Sequence, residues 1–175
     1  YEIVSRDWSS DVCSSDLALD NLQPGQRLVL APGNYRVGRV LAVRREQVTV
    51  SGYDATLVAS DPDQQAIQMT GAYSTLVGLT LKGTGTQRLE SATSAKVIVD
   101  GTGIQVLDVT IEGGASAGIF VSRGIGIALV GDRISGTLAD GIHITGGSQD
   151  VLVQNSSVTA TGDDMVGIVS YQRDS

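Results

Sequence analysis

Short aliphatic segments alternate with polar and small residues along most of this chain, and they recur at a nearly constant interval. Hydrophobic residues stand at alternate positions within each segment, which is typical of a strand that buries one face. A residue type that tolerates the left-handed backbone conformation interrupts each segment: Gly78, Asp108, Gly131 and Asn155, at spacings of 30, 23 and 24 residues. The pattern therefore predicts repeated short strands separated by tight turns.

A further short strand with alternating aliphatic residues is predicted in each repeat, at residues 67–69, 97–99, 119–121, 142–144 and 166–168. No helical period separates the strands, which excludes βαβ units. A propeller is the less favoured alternative, because its blades need about 40 residues or more. We therefore predict an all-β fold, a single-stranded parallel β-helix (solenoid) with three short strands per turn of about 24 residues.

Three segments depart from the repeat. Residues 7–17 resemble a translated sequencing-adapter oligonucleotide, so residues 1–17 are left out of the fold, with a disordered polar N-terminus as the alternative. Residues 18–175 are assigned to the β-helix domain, which we expect to be truncated at both ends. Residues 17–22 are predicted to form a short amphipathic helix that caps the first coil. Residues 83–95 are predicted to form a loop that walls a cleft or is a plain surface excursion.

Composition narrows the possible partners. The net charge is −7, which disfavours nucleic acid, and one cysteine excludes an internal disulfide framework. No apolar run is long enough to span a membrane. An acidic polymer would need local cations, for which Arg123, Arg133 and Arg173 are the candidates. Whether the chain is a monomer or an oligomer stays open.

Three aspartates near the C-terminal end of the chain are the candidate catalytic residues. At the 24-residue spacing Asp140 falls over Asp164, and neighbouring parallel strands lie about 4.7–4.9 Å apart. Asp163 reaches the same patch if the backbone turns there, which Gly162 permits. Clustered carboxyl groups suit acid–base cleavage of a sugar bond. The alternatives are structural turn acids or a calcium-type site, although calcium prefers six or more oxygens.

At these residues the chain resembles the family 28 glycoside hydrolases, the polygalacturonase family. The segments Asp-Gly-Ile-His at 140–143 and Gly-Asp-Asp at 162–164, followed by Val166 and Ile168, match its two motifs. The resemblance implies a right-handed parallel β-helix of the pectin-lyase-like type, secreted or at the cell surface, that acts on a pectin-like or related polysaccharide by inverting hydrolysis. It further implies that Asp163 is the general acid, while Asp140 and Asp164 hold and deprotonate the attacking water.

Two further residues are assigned to substrate binding. His143, the single histidine, is predicted to face outward beside Asp140, and Tyr171 follows the last strand and offers a stacking surface for a sugar. The alternatives are an exposed strand residue for His143 and a cover over apolar surface for Tyr171.

Three function classes remain. The first is the polysaccharide hydrolase, and the second is a non-catalytic β-helix such as an adhesin, a tail-spike segment or a carbohydrate-binding scaffold. The third is a polysaccharide lyase, which ranks lower because no lysine or arginine is expected beside the acids. No cofactor and no metal ligand set are predicted, and calcium enters only with the lyase.

Overall fold

The structure is built from short parallel strands joined by turns and loops, with almost no helix among the residues described. The computed structural model describes residues 2–5, 19–63 and 67–171. The strands in these residues are β1 (Glu2–Ser5), β2 (Arg27–Leu30), β3 (Gly33–Val37), β4 (Leu41–Val43), β5 (Thr49–Ser51), β6 (Ala55–Ala59), β7 (Ile67–Met69), β8 (Thr75–Val77), β9 (Thr80–Lys82), β10 (Val97–Val99), β11 (Gln105–Leu107), β12 (Thr110–Gly114), β13 (Ile119–Ser122), β14 (Ile125–Val130), β15 (Arg133–Thr137), β16 (Ile142–Thr145), β17 (Gln149–Gln154), β18 (Ser157–Thr159) and β19 (Val166–Ile168).

The strands form three parallel sheets that the chain visits in turn. Sheet A has the order β1-β2-β5-β8-β11-β14-β17, sheet B the order β3-β6-β9-β12-β15-β18, and sheet C the order β4-β7-β10-β13-β16-β19. Three consecutive strands from β2 onward therefore make one coil, and six coils stack along the axis. The predicted all-β parallel solenoid with three strands per turn is confirmed.

The corner between sheets A and B uses the turn residues that the repeat singled out. The backbone φ angles of Gly78, Asp108, Gly131 and Asn155 are 76°, 51°, 76° and 53°. Each lies in the left-handed region, where glycine, asparagine and aspartate are the least strained residues. The predicted third strands also lie where expected, since they are all members of sheet C.

Aliphatic stacks fill the interior. Val97, Ile119 and Ile142 occupy one register position on three successive coils, and none is exposed. Burial of a side chain of this size stabilises the fold by about 1.5–3 kcal/mol. Val166 and Ile168 continue the predicted inward-facing register but are 43% and 81% exposed, because no described coil covers them.

The N-terminal end of the core is covered by the segment that was predicted to cap it. Leu19 and Leu22 are buried within the aliphatic core. Residues 17 and 18 lie outside the described residues, so the helix itself stays a prediction. Glu2–Ser5, which the sequence analysis left out of the fold, pair with β2 in sheet A. Residues 6–18 lie outside the described residues, and the origin of this segment remains a prediction.

The predicted loop at residues 83–95 is present between β9 and β10. It contains a short 3-10 turn at Ala92–Ser94. Directly after it, Lys96 is fully buried and donates from Nζ to the carbonyl oxygen of Pro62 at 2.6 Å. Burial lowers the pKa of Lys96, and the nearby charges of Asp63 and Asp61 oppose that change. The loop thus ends at a residue that is buried and hydrogen-bonded to the neighbouring coil.

The described residues include no helix that is long and apolar enough to cross a membrane.

Candidate active site

Asp140, Asp163 and Asp164 converge at the corner between sheets B and C. Asp140 precedes β16 on the fifth coil, whereas Asp163 and Asp164 precede β19 on the sixth. One oxygen from each of the three carboxyl groups lies within 4.8 Å of the others. The structure therefore brings together all three aspartates that the sequence singled out as catalytic candidates.

Backbone pairing between the two coils fixes this convergence. The amide of Gly141 donates to the carbonyl oxygen of Asp164 at 2.9 Å, and the amide of Ile142 donates to that of Met165 at 3.0 Å. The amide of Asp164 also donates to Oδ1 of Asp140 at 3.3 Å. A side-chain oxygen of one coil is thereby tied to the backbone of the next.

Gly162 allows Asp163 and Asp164 to reach the same patch. A Cβ atom at this position would lie 2.2 Å from the carbonyl oxygen of Leu138. Its amide donates to Thr137 at 2.8 Å, and that of Asp163 donates to Ala139 at 3.3 Å. The bend at residues 162–163 thus depends on a close backbone approach that only glycine permits.

His143 is bound on both ring nitrogens. Its Nδ1 lies 2.5 Å from Oδ2 of Asp140, and its Nε2 lies 3.3 Å from the hydroxyl of Tyr171. Phe120 stacks on the ring with centroids 4.9 Å apart and an interplanar angle of 8°. His143 points away from the aliphatic core, as predicted, but these contacts leave it buried. The alternative of an exposed strand residue is wrong.

The loop between β9 and β10 supplies a cation to the acids. Arg88 donates from Nη2 to Oδ2 of Asp163 at 2.6 Å and from Nε to Glu90 at 3.1 Å. The hydrogen bond to Asp163 is the main cause of a raised pKa for Arg88. The expectation that no lysine or arginine accompanies the acids is therefore wrong, because this arginine comes from a loop three coils earlier.

The arginines that the sequence analysis named do not contribute to this site. Arg123 forms an ion pair with Asp100, and neither Arg123 nor Arg133 lines the cleft around the three aspartates. Arg173 lies outside the described residues.

These groups surround a cleft of about 200 Å³. The loop forms one wall, which confirms that it borders a cleft. Phe120 was not among the residues predicted from the sequence. It pairs in register with His143 on the adjacent coil, and the spacing of 23 residues between the two could have indicated this contact. The lining residues are Arg88, Leu89, Glu90, Ser116, Ala117, Phe120, Ala139, Asp140, His143, Asp163, Asp164, Val169 and Tyr171.

The cleft carries more negative than positive charge. Among the residues that the structure describes, Glu90 and the three aspartates provide four carboxyl groups against the guanidinium of Arg88. The aspartates present three closely spaced oxygens, about half of what a calcium ion takes. Two carboxyl groups in one cleft are the minimum for acid–base cleavage of a glycosidic bond.

Comparisons with known proteins bear on the fold. No protein-family model and no curated protein sequence matches this chain. Among solved structures, the catalytic domain of a GH87 α-1,3-glucanase in complex with nigerose matches with a TM-score of 0.78 and 18% identity, over 95% of this chain and 31% of that one. The catalytic unit of a thermostable GH87 α-1,3-glucanase from Streptomyces thermodiastaticus matches with a TM-score of 0.74 and 23% identity, over 94% and 31%.

A pectate lyase, Pel9A, matches with a TM-score of 0.63 and 16% identity, over 83% of this chain and 48% of that one. The chain thus spans less than half the length of these solved chains. The right-handed parallel β-helix is shared with them, while the resemblance to family 28 remains a prediction. Solved GH87 glucanase catalytic domains include single aspartate-to-alanine variants at three positions, the second 23 residues after the first and the third directly after the second.

Proposed function

We propose that this chain is part of a glycoside hydrolase that cleaves a polysaccharide with Asp140, Asp163 and Asp164. The observation that carries the proposal is the convergence of these three carboxyl groups in one cleft. Their sequence spacing supports it, because Asp163 follows Asp140 by 23 residues and Asp164 comes next. The same spacing separates the aspartates that were replaced in the glucanase structures.

The proposed roles divide the proton transfers between two coils. Asp163 protonates the leaving glycosidic oxygen, while Asp140 and Asp164 hold and deprotonate a water molecule. His143 and the amide of Asp164 both bind the Asp140 carboxyl, so its orientation is fixed. Inversion needs about 6.5–9.5 Å between the acid and base carboxyl groups, a longer separation than the 4.8 Å within which the nearest oxygens of the three aspartates lie here.

The charge of the cleft favours a neutral polymer as substrate. Four carboxyl groups against one guanidinium give the described lining of the cleft a net negative charge, which would repel the carboxylates of a pectin-like chain. A neutral glucan of the α-1,3 type, which the structural neighbours cleave, meets no such repulsion. Tyr171, 68% exposed at the cleft, is available to stack against a sugar ring. Because the chain shares its fold with polysaccharide-degrading enzymes, we expect a secreted or cell-surface protein.

The test measures reducing-sugar release from α-1,3-glucan and from polygalacturonate by the wild type and by Asp163→Asn. We expect activity on the neutral polymer and a loss of about 10²–10⁴-fold in kcat for the variant, because the proton donor is removed. Asp150→Asn, an exposed carboxyl outside the cleft, is the matched control. Proton NMR of the first product anomer tests inversion. Unchanged turnover of Asp163→Asn would overturn the catalytic assignment.

A lyase is the second candidate, because an arginine lies beside the acids where none was expected from the sequence. A lyase abstracts a proton with a basic side chain, and the hydrogen bond to Asp163, which raises the pKa of Arg88, weighs against that role. The same assay distinguishes the two, since only elimination yields an unsaturated product that absorbs in the ultraviolet. Calcium dependence would accompany that outcome. Absence of cleavage of every polymer would favour the non-catalytic scaffold.

A further inference from the structure

We propose that Arg88 is a positioning residue for Asp163, one that determines which carboxyl oxygen carries the proton donated to the substrate. This inference rests on the proposed function, because it assigns Asp163 the role of proton donor. It concerns a residue that no sequence motif marked and that lies 75 positions before its partner.

The first half of the loop, which carries Arg88, is held on both sides of this residue. At its base, Asp63 accepts the amide of Thr86 at 2.7 Å and the hydroxyl of the same residue at 2.5 Å. Farther along, the amide of Leu89 donates to the carbonyl oxygen of Ala115 at 2.8 Å. Gly85 lies against Ala115 so closely that a Cβ atom would stand 2.5 Å from its Cα.

These contacts place Arg88 beside a residue that lies three coils farther along the axis. The loop leaves the third coil, whereas Asp163 belongs to the sixth, a distance of about 14 Å along the axis at 4.7–4.9 Å per strand. The loop spans that distance along a defined path, because the hydrogen bond from Leu89 to Ala115 attaches it to the fourth coil, between the two ends. The position of the guanidinium is thus built into the fold.

The chemistry of the guanidinium then selects the proton position. Arginine has five donors and no acceptor, so the oxygen that it binds cannot direct a proton toward it. Nη2 binds Oδ2 of Asp163, which leaves Oδ1 as the oxygen that carries the proton. The carboxylate of Glu90 accepts a hydrogen bond from Nε of the same guanidinium and thereby limits its rotation.

Stability does not explain the contact. The side chains of Arg88 and Asp163 are 43% and 47% exposed, and ion pairs at such positions change stability little. We therefore expect Arg88→Ala to keep the melting temperature of the wild type and to affect the rate of bond cleavage.

The experiment compares kcat and KM of Arg88→Ala, Arg88→Lys and the wild type on the cleaved polysaccharide. We expect kcat of Arg88→Ala to fall by about 10- to 100-fold with KM unchanged, because a misplaced proton donor affects the transition state. Arg88→Lys should recover part of the loss, since an ammonium group still binds one oxygen. Arg44→Ala, which breaks an exposed ion pair with Asp20 outside the cleft, is the matched control and should match the wild type.

Calorimetry separates positioning from binding. In the inactive Asp163→Asn background, adding Arg88→Ala should leave the Kd for a tetrasaccharide of the cleaved polymer unchanged. A weaker Kd, a raised KM, or an unchanged kcat would overturn the positioning role while the proposed function stands. A wild type that cleaves no polysaccharide would overturn the proposed function and this inference with it.

Discussion

The carboxyl group of Asp132, buried at the corner between sheets A and B, is expected to make the stability of this fold depend on pH. The residue is fully buried. Its Oδ1 accepts the amide of Val109 at 2.9 Å, whereas Oδ2 has no hydrogen-bond partner among the described residues. Burial raises its pKa from 3.8 to about 7, and the charge of Asp108 adds to the rise, while the Val109 amide opposes it.

The direction of this pH dependence follows from the ionisation of Asp132 in the unfolded and the folded protein. The unfolded chain ionises Asp132 near 3.8, but the folded protein keeps the proton until about 7. The folded state is therefore favoured at low pH. The contribution of Asp132 to the free energy of unfolding falls as the pH rises between these two values and stays constant above about 7. At 1.36 kcal/mol per pH unit, the loss between pH 5 and pH 8 is about 3 kcal/mol.

Asp132→Asn should remove this part of the pH dependence. The amide oxygen of the asparagine can still accept a hydrogen bond from the Val109 amide. Any loss of stability caused by burying its NH₂ group is the same at pH 5 and at pH 8. Asp132→Ser is a second variant, because Ser156 holds the equivalent position on the next coil and accepts the amide of Asp132 at 3.1 Å.

The assay is denaturant unfolding at pH 5 and pH 8, with Asp150→Asn as the exposed control. The difference between the two free energies of unfolding should shrink by about 3 kcal/mol in both Asp132 variants and stay unchanged in the control. An equal difference in wild type and Asp132→Asn would refute the assignment of the pH dependence to this carboxyl.

Two further substitutions test how the cleft is assembled. Gly167→Ala would place a Cβ atom 2.8 Å from Oδ2 of Asp140, so kcat should fall about 10-fold or more, whereas Gly114→Ala, with 3.5 Å to its nearest neighbour, should match the wild type in the same assay. Asp63→Ala removes both bonds to Thr86 and should lower kcat several-fold. Asp63→Asn, which keeps an acceptor, should lose less, and equal kinetics of Asp63→Ala and wild type would contradict the anchoring role.

The repeating part of the fold was predictable because its causes are local. Alternate aliphatic residues set the strands, and a turn residue with a left-handed backbone sets each corner, so Gly131 and Asn155 could be placed from sequence spacing alone. The same spacing placed Asp140 on the coil next to Asp164, because register in a parallel stack follows from equal coil lengths.

The remaining parts of the site depend on contacts that have no period. Arg88 reaches Asp163 through a loop whose path is set by Asp63 and Ala115, and nothing in the spacing of these residues indicates a meeting. The buried state of Asp132 was equally hidden, since aspartate beside a glycine also suits an exposed turn. The sequence thus predicts the scaffold, the acids and the presence of a loop beside them, but not which residue of that loop contacts the acids.

The connection between β9 and β10 interrupts the repeat with an inserted loop but leaves the pairing of sheet C intact. β10 still pairs residue for residue with β7 and β13 on either side. The backbone frame that carries the three aspartates thus keeps its register with the inserted segment in place, whereas the contact to the Asp163 side chain comes from that segment. Exchange of the segment would therefore reshape the cleft and alter the partner of Asp163 while the stacking of the coils is preserved.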